Sequence, residues 1–133
     1  MNGGSFAAPA ALAAALERGA QRSVVAAETV MRHHAQTLVQ QVQRNASGRP
    51  GPRVVTGRYR ASWRSEVHRA AAVIVGEVGT PAPQAHRLEF GFVGVDSIGR
   101  HYAQRPFPHL GSAVEQAGPV LVRSLGQAVE VAL

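Results

Sequence analysis

The sequence predicts an α+β domain in which a long helix comes first, an antiparallel sheet of about three to four strands follows, and an amphipathic helix ends the chain. Apolar residues recur every three or four positions near both ends of the chain, as they do on one face of a helix. Between these regions, short stretches rich in β-branched residues alternate with glycine and proline, which is typical of strands and turns.

The first helix is expected from about Pro9 to Arg44. Alanine favours helix, Pro9 suits a first turn, Ser5 is the candidate N-cap, and Gly19 is the weakest position. At 1.5 Å per residue this helix would extend about 50 Å, more than a compact domain of this size needs. Its narrow, alanine-rich stripe therefore packs either on a neighbouring subunit or on its own sheet. The candidate packing residues are Leu12, Leu16, Val24, Met31 and Leu38.

A stretch rich in proline and glycine ends this helix, and residues 45–55 are expected to form a basic, mobile loop. Thr56 is the candidate cap of a single helical turn after the loop. From Trp63 to His68, alternate residues predict a strand with one mixed, buried face. A second strand, Ala71–Gly79, would pair with it in antiparallel orientation.

Leu88–Val95 is expected to be a third extended segment, followed by a polar turn near residues 96–100. The segment Arg105–Pro108 then leads into the last helix. Gly118-Pro119 predicts a kink or a break in that helix. We expect one domain over residues 1–133, with residues 1–8 flexible.

The composition excludes several classes of protein. With 133 residues and no cysteine, the chain can bury a core, and it has neither disulfides nor thiolate metal sites. The first residues carry no basic stretch of the kind that opens a signal peptide, and Glu17 and Arg18 interrupt the alanine-rich run. We therefore expect no targeting segment and no membrane segment.

Basic charge is concentrated in one part of the sequence. The formal charge is +6, and all 14 basic residues are arginines. Seven of them lie between Arg44 and Arg69, where Glu66 is the single acidic residue. Such a segment favours contact with a polyanion or with an acidic neighbouring subunit, and the alternative is a solvated basic loop.

The sequence contains no recognisable catalytic or nucleotide-binding motif. Acidic residues are scattered singly, so the chain is not expected to be an enzyme or to hold a cofactor. His33 and His34 are adjacent on the first helix and point about 100° apart, which makes chelation of one ion unfavourable. His86 and Glu89 are expected to make ordinary polar contacts, and the glycines at 91, 94 and 99 to form turns and bulges.

Nucleic-acid binding is a competing interpretation. Arginine and aromatic residues interleave at Arg58, Tyr59, Arg60, Trp63 and Arg64, as stacking and phosphate contact require. Trp63 begins a strand, however, and a tryptophan there is more often part of a core. The sequence contains no known nucleic-acid reader motif, so sequence-specific recognition is not expected.

Three segments, in this order, resemble the phage tail-component family, which comprises small neck and tail-completion proteins of long-tailed phages. They are Val55–Trp63, Val78–Gly91 with its Glu-Phe-Gly signature, and Arg105–Glu115 with its Arg-Pro-Phe sequence. Departures are Tyr59, Gln84 and Gly111, where the family usually has an aliphatic residue, a tyrosine and a proline. The residues that carry the resemblance are Thr56, Gly57, Trp63, Glu89, Phe90, Gly91, Pro106 and Phe107.

The resemblance implies a structural virion protein that is assembled in the host cytoplasm and forms a homo-oligomeric ring in the neck, between the head–tail connector and the tail tube. No reaction is expected, and non-specific contact with packaged DNA is implied. A tail terminator, a minor tail protein and a basic DNA-binding accessory protein are the alternatives. The candidate contacts to the DNA-filled lumen or to an adjacent ring are Arg49, Arg53, Arg58, Arg60 and Arg64.

Overall fold

A long helix, α1, is the element on which the rest of the chain packs. The computed structural model describes residues 8–71 and 73–132. Within them, α1 comprises 37 residues, Pro9–Asn45, and is about 55 Å long at 1.5 Å per residue. Pro9 occupies the first turn, as predicted. The candidate cap Ser5 and residues 1–7 of the segment expected to be flexible lie outside the described residues.

The remaining elements confirm the predicted α+β class. In chain order they are α2 (Arg58–Ala61), β1 (Arg64–Ala70), β2 (Val73–Gly79), α3 (Ala85–Phe90), β3 (Phe92–Val95), β4 (His101–Gln104) and α4 (Leu110–Ala132). The four strands form two separate antiparallel pairs, β1 with β2 and β3 with β4, where the sequence suggested one sheet. Helix α3 lies between β2 and β3 in the chain, and among the described residues the strands of the second hairpin do not pair with those of the first.

The segment predicted to be extended from Leu88 to Val95 is helical in its first half. Its residues up to Phe90 belong to α3, and the chain becomes a strand only after Gly91. Gly91 has φ 81 and ψ 175, a conformation open essentially to glycine alone, and this residue ends the helix. The second strand likewise begins at Val73, because Ala71 lies in the turn of the first hairpin.

Helix α4 continues through the position where a kink or break was predicted. Pro119 lies inside it, and Leu110–Ala132 is one uninterrupted helix, so the chain does not divide into two helices there. Proline removes one backbone N–H donor, which leaves the carbonyl of residue 115 without its helical partner. Pro119 and Glu115 are both exposed, so water can solvate that carbonyl.

Helices α1 and α4 pack side by side in opposite directions. Asn45 at the end of α1 donates a hydrogen bond to the His109 carbonyl (3.1 Å), and Arg22 donates to the Ala132 carbonyl at the far end of α4 (3.2 Å). The first ten residues of α1, Pro9–Arg18, which we call the helical arm, thus extend beyond the last described residue of α4.

The core is small and lies where α1, α4 and the first hairpin meet. It consists of Val39, Val42, Trp63 and Ala113, and half-buried Leu38, Tyr59, Val78 and Leu110 pack around it. Trp63, Ser65 and Val67 are more buried than the residues between them, as the predicted alternation required. In α1, Glu28 pairs with Arg69 of β1 at 3.3 Å.

Within residues 8–71 and 73–132, no helix combines the length and the apolar character that crossing a bilayer requires.

We expect Gly91→Ala to destabilise the protein by about 2–4 kcal/mol, because backbone strain adds to a steric clash. A Cβ at residue 91 would lie 2.7 Å from the Gln104 carbonyl oxygen. The matched control is Gly57→Ala, where φ is 84 but no atom lies within 4 Å of the added Cβ. This control should cost about 1 kcal/mol. Urea unfolding measures both, and equal losses would contradict the steric explanation.

Candidate functional site

The carboxylate of Glu89 caps the N-terminus of α4 from a different helix. Its Oε1 accepts hydrogen bonds from the backbone N–H groups of His109 (3.1 Å) and Leu110 (2.7 Å), and its Oε2 accepts one from Gly111 (3.3 Å). Desolvation raises the pKa of Glu89, but these three donors outweigh it and hold the pKa below the ordinary value. A charged carboxylate here satisfies unpaired N–H groups and lies at the positive end of the helix dipole.

His109 is completely buried beside this cap. Its Nδ1 lies 2.7 Å from the Phe107 carbonyl oxygen, which can only accept, so Nδ1 carries the proton. In the neutral imidazole Nε2 accepts a hydrogen bond from the Tyr59 hydroxyl, with the two atoms 2.5 Å apart. The rings of Tyr59 and Trp63 meet the imidazole edge to face, at centroid distances of 5.6 and 5.7 Å. Desolvation raises the pKa of Tyr59 to about 12, so this hydroxyl keeps its proton at neutral pH.

The three segments that resemble the tail-component family meet around His109. Thr56 Oγ1 accepts a hydrogen bond from the Arg58 N–H (3.3 Å), and Gly57 forms the cap of α2, which carries Tyr59. In the other two segments, the Leu88 carbonyl accepts a hydrogen bond from the Phe107 N–H (2.7 Å). The family-motif residues therefore build the joint that fixes α2, α3 and α4 relative to one another. Thr56, Phe90 and Pro106 are nevertheless exposed, Phe90 by 67%.

A concave surface of about 480 Å³ opens on one side of this joint. We call it the arginine groove. Its basic residues are Arg49, Arg53, Arg58 and Arg60, and its apolar residues include Val54, Val55, Leu88 and Phe107. The structure thus brings together four of the five arginines that the sequence singled out. Arg64 is the fifth; it lies on β1 and lines a different depression, together with Glu66 and Glu77.

Two of the groove arginines are held in place by neighbouring groups. The Arg49 guanidinium stacks over the Phe107 ring, 3.9 Å from its centroid, and donates to the Gly51 carbonyl (3.0 Å). Arg60 donates to the Ser47 hydroxyl (3.1 Å). Desolvation, followed by repulsion from Arg53 and Arg105, lowers the pKa of Arg49. Like charges are therefore crowded here without a compensating acidic residue among the groove residues.

The predicted packing face of α1 divides into two parts. Leu12 and Leu16, in the helical arm, are exposed by 41% and 65%. Val24, Met31 and Leu38 are half-buried, and Met31 contacts the first hairpin at Gly76, where an added Cβ would lie 2.8 Å from its sulfur. The part of the face beyond the helical arm therefore packs against the rest of the subunit, while the helical arm itself remains uncovered within the described residues.

The aromatic residues that suggested nucleic-acid stacking face inward. Trp63 is only 6% exposed, and Tyr59 is hydrogen-bonded to His109. Basic side chains surround the Phe107 ring, since Arg49 and Arg105 lie 3.9 and 5.3 Å from its centroid. The interleaved sequence pattern thus does not become an exposed stacking surface.

One group of metal-ligating side chains escaped the sequence analysis. Glu66 and His68 on β1 and Glu77 on β2 place their ligand atoms within 4.8 Å of one another. The register pairs Glu66 directly with Glu77, which was not readable without the strand pairing. All three side chains are exposed to water, and such a surface group does not by itself define a metal site.

Replacing Glu89 with glutamine should destabilise the protein by about 1–3 kcal/mol, because an amide offers one acceptor oxygen where the carboxylate offers two. Thermal and urea unfolding measure the loss. The control is Glu115→Gln, which removes the same charge from an exposed position on α4. If both variants lost the same stability, net charge and not capping would be responsible.

The same cap predicts a pH dependence. Because the pKa of Glu89 is lower in the folded than in the unfolded protein, its contribution is complete above about pH 4.5, the unfolded value. The contribution is lost as the pH falls through the lower folded pKa. Urea unfolding between pH 7 and about pH 3 should therefore show a smaller loss in Glu89→Gln than in the unsubstituted protein. Parallel curves for the two proteins would contradict this role.

Comparison with known proteins yields one family. Residues 10–91 match the family model described as "Bacteriophage HK97-gp10, putative tail-component". The match runs from α1 to Gly91, the end of the Glu-Phe-Gly sequence, and covers more than half of the chain. No curated protein and no solved structure gives a significant match. The chain therefore belongs to the HK97-gp10-like family of phage tail components, and its general role is that of a structural protein of the virion.

Proposed function

We propose that this tail component assembles into a ring of identical subunits in the phage neck, where it joins the head–tail connector to the tail tube and catalyses no reaction. The proposed site of action is the head–tail junction, and assembly takes place in the host cytoplasm. Family membership supports a structural role in the tail, and the shape and surface of the subunit support assembly with copies of itself.

The surface area is the observation that carries this proposal. The chain exposes 9176 Å², whereas a compact monomer of 14.0 kDa exposes about 6,700 Å². The excess is comparable with the area that large, permanent interfaces bury. A subunit of this shape gains a normal ratio of surface to volume when it packs against other subunits.

The helical arm is one place where such packing is needed. It extends beyond α4, and Leu12 and Leu16 are exposed on it. Most helical stability in proteins comes from packing of an apolar face, and the two leucines of the helical arm lack such packing among the described residues. Contact with a neighbouring subunit would bury the two leucines and stabilise the helical arm.

The hairpins offer a second uncovered surface. Each sheet has only two strands, so its outer strand edges are unpaired within the described residues. Val73 is 62% exposed on the first hairpin, and Val93 is 84% exposed on the second. Two-stranded hairpins are marginally stable alone, and contact with a neighbour would stabilise both.

Electron microscopy of the purified protein and of intact phage particles tests the proposal directly. We expect a closed ring in the purified sample and density for the chain at the head-proximal end of the tail. Density at another level of the tail would favour a tail terminator or a minor tail protein. A monomer that is absent from the particle would refute the proposed function.

The double substitution Leu12→Gln, Leu16→Gln should weaken ring formation by at least about tenfold, because burial of two leucines contributes roughly 3 kcal/mol or more. The fold should be retained, since both side chains are exposed in the subunit. Light scattering against protein concentration measures the assembly. Gln36→Ala, Gln40→Ala, exposed on the same helix away from the helical arm, is the control and should assemble normally. Unimpaired assembly of the leucine variant would remove the arm from the interface.

A further inference from the structure

We propose that the arginine groove binds an extended peptide segment of a neighbouring virion protein, and that this segment carries both acidic and apolar side chains. The origin of the segment in an adjacent virion protein rests on the proposed function. The chemistry of the segment rests on the groove alone, namely its charge, its apolar surface and the way its aromatic ring is surrounded.

The charge of the groove is unbalanced. Arg49, Arg53, Arg58 and Arg60 line it, and none of its lining residues is acidic. The arginine salt bridges among the described residues involve Arg32, Arg69 and Arg100, so the groove arginines make none there. Carboxylates accept paired hydrogen bonds from a guanidinium, and several arginines around one concavity complement a segment with more than one acidic residue.

Part of this arrangement is already fixed before any ligand binds. Arg49 is held by the Phe107 ring and the Gly51 carbonyl, and Arg60 is held by the Ser47 hydroxyl. Binding therefore costs less side-chain entropy at these two positions. Arg53 and Arg58 make no side-chain hydrogen bond among the described residues, and their guanidinium groups keep their full donor capacity for a partner.

The apolar residues of the groove indicate a peptide and not a phosphate chain. Val54 is 41% exposed and Val55 is 91% exposed, beside the arginines. Leu88 and Phe107 form a half-buried apolar surface within the same concavity. A peptide that carries acidic and apolar residues on one face would cover these side chains, because every second residue of an extended strand points to the same side. A sugar–phosphate backbone would leave them in water.

The described residues of the groove offer no open aromatic face on which the bases of single-stranded nucleic acid could stack. Proteins that bind it without sequence preference combine basic residues with open aromatic faces. The Phe107 ring already has the Arg49 guanidinium over it at 3.9 Å, and the Tyr59 hydroxyl is bonded to His109. Only phosphate contacts would remain available, and these weaken steeply with salt.

Fluorescence anisotropy of the full-length chain with labelled probes tests the proposal. The principal probe is a peptide of about twelve residues in which aspartate, leucine, glutamate and phenylalanine follow one another at every second position, with serine between them, so that they share one face of the extended peptide. A second peptide has every acidic residue replaced by its amide, and a single-stranded and a double-stranded DNA of similar charge complete the set. At about 0.15 M salt, we expect the acidic peptide to bind at least about tenfold more tightly than the other three probes.

Substitutions locate the binding. Arg53→Ser, Arg58→Ser should weaken binding of the acidic peptide by about tenfold, since two paired guanidinium groups are lost. The control is Arg64→Ser, Arg123→Ser, which removes the same charge from exposed positions outside the groove and should change affinity less than about twofold. Val55→Ser should weaken binding of the same peptide, although it leaves the charge of the groove unchanged, because an apolar contact is lost. Melting temperatures of all variants confirm that each remains folded.

Four outcomes would overturn the proposal. They are absence of peptide binding, equal affinity for the amide peptide, equal loss in the groove variant and the control variant, and tighter binding of DNA that depends on Arg53 and Arg58. The last outcome would assign the groove to nucleic acid. If electron microscopy shows rings but the peptide does not bind, this inference alone is refuted. If electron microscopy shows no rings, the proposed function is refuted.

Discussion

The contact between Glu89 and the first turn of α4 determines how the parts of this protein are arranged. A helix begins with backbone N–H groups that have no partner inside the helix, and burial without partners is unfavourable. Here the carboxylate comes from α3, about twenty residues earlier in the chain, and accepts hydrogen bonds from three backbone N–H groups at the start of α4. The direction of α4, the position of α3 and the burial of His109 are therefore coupled through one side chain.

His109 extends this coupling to α2. Its two ring nitrogens are satisfied by the Phe107 carbonyl and the Tyr59 hydroxyl, so a polar residue is buried without an unpaired group. Tyr59 belongs to α2, which precedes the first hairpin and follows the basic loop. The same joint that orients α4 consequently brings residues 49–60 next to Phe107 and forms the arginine groove. Tyr59 and Phe107 thus belong both to the cluster around His109 and to the lining of the groove.

A small core and a large surface suit a protein that works by assembly. The buried apolar cluster is confined to the meeting point of α1, α4 and the first hairpin, while the helical arm, the second hairpin and the outer strand edges of the first hairpin remain uncovered among the described residues. Burial of apolar surface is the main favourable term in association as it is in folding. Membership of a phage tail-component family is consistent with a subunit whose stability is completed by its neighbours.

The sequence by itself determined the elements whose signals are local. Periodic apolar residues gave α1 nearly its observed bounds and placed α4 after Pro108, β-branched alternation gave the first hairpin, and three short resemblances indicated the family. Only the tertiary structure decided that residues 85–90 are helical, since six residues are too short for a periodic signal and Gly91 ends them. It also decided that Glu89 caps α4, that four arginines share a groove and that Arg64 lies elsewhere. These features depend on contacts between residues distant in the chain, which no local pattern encodes.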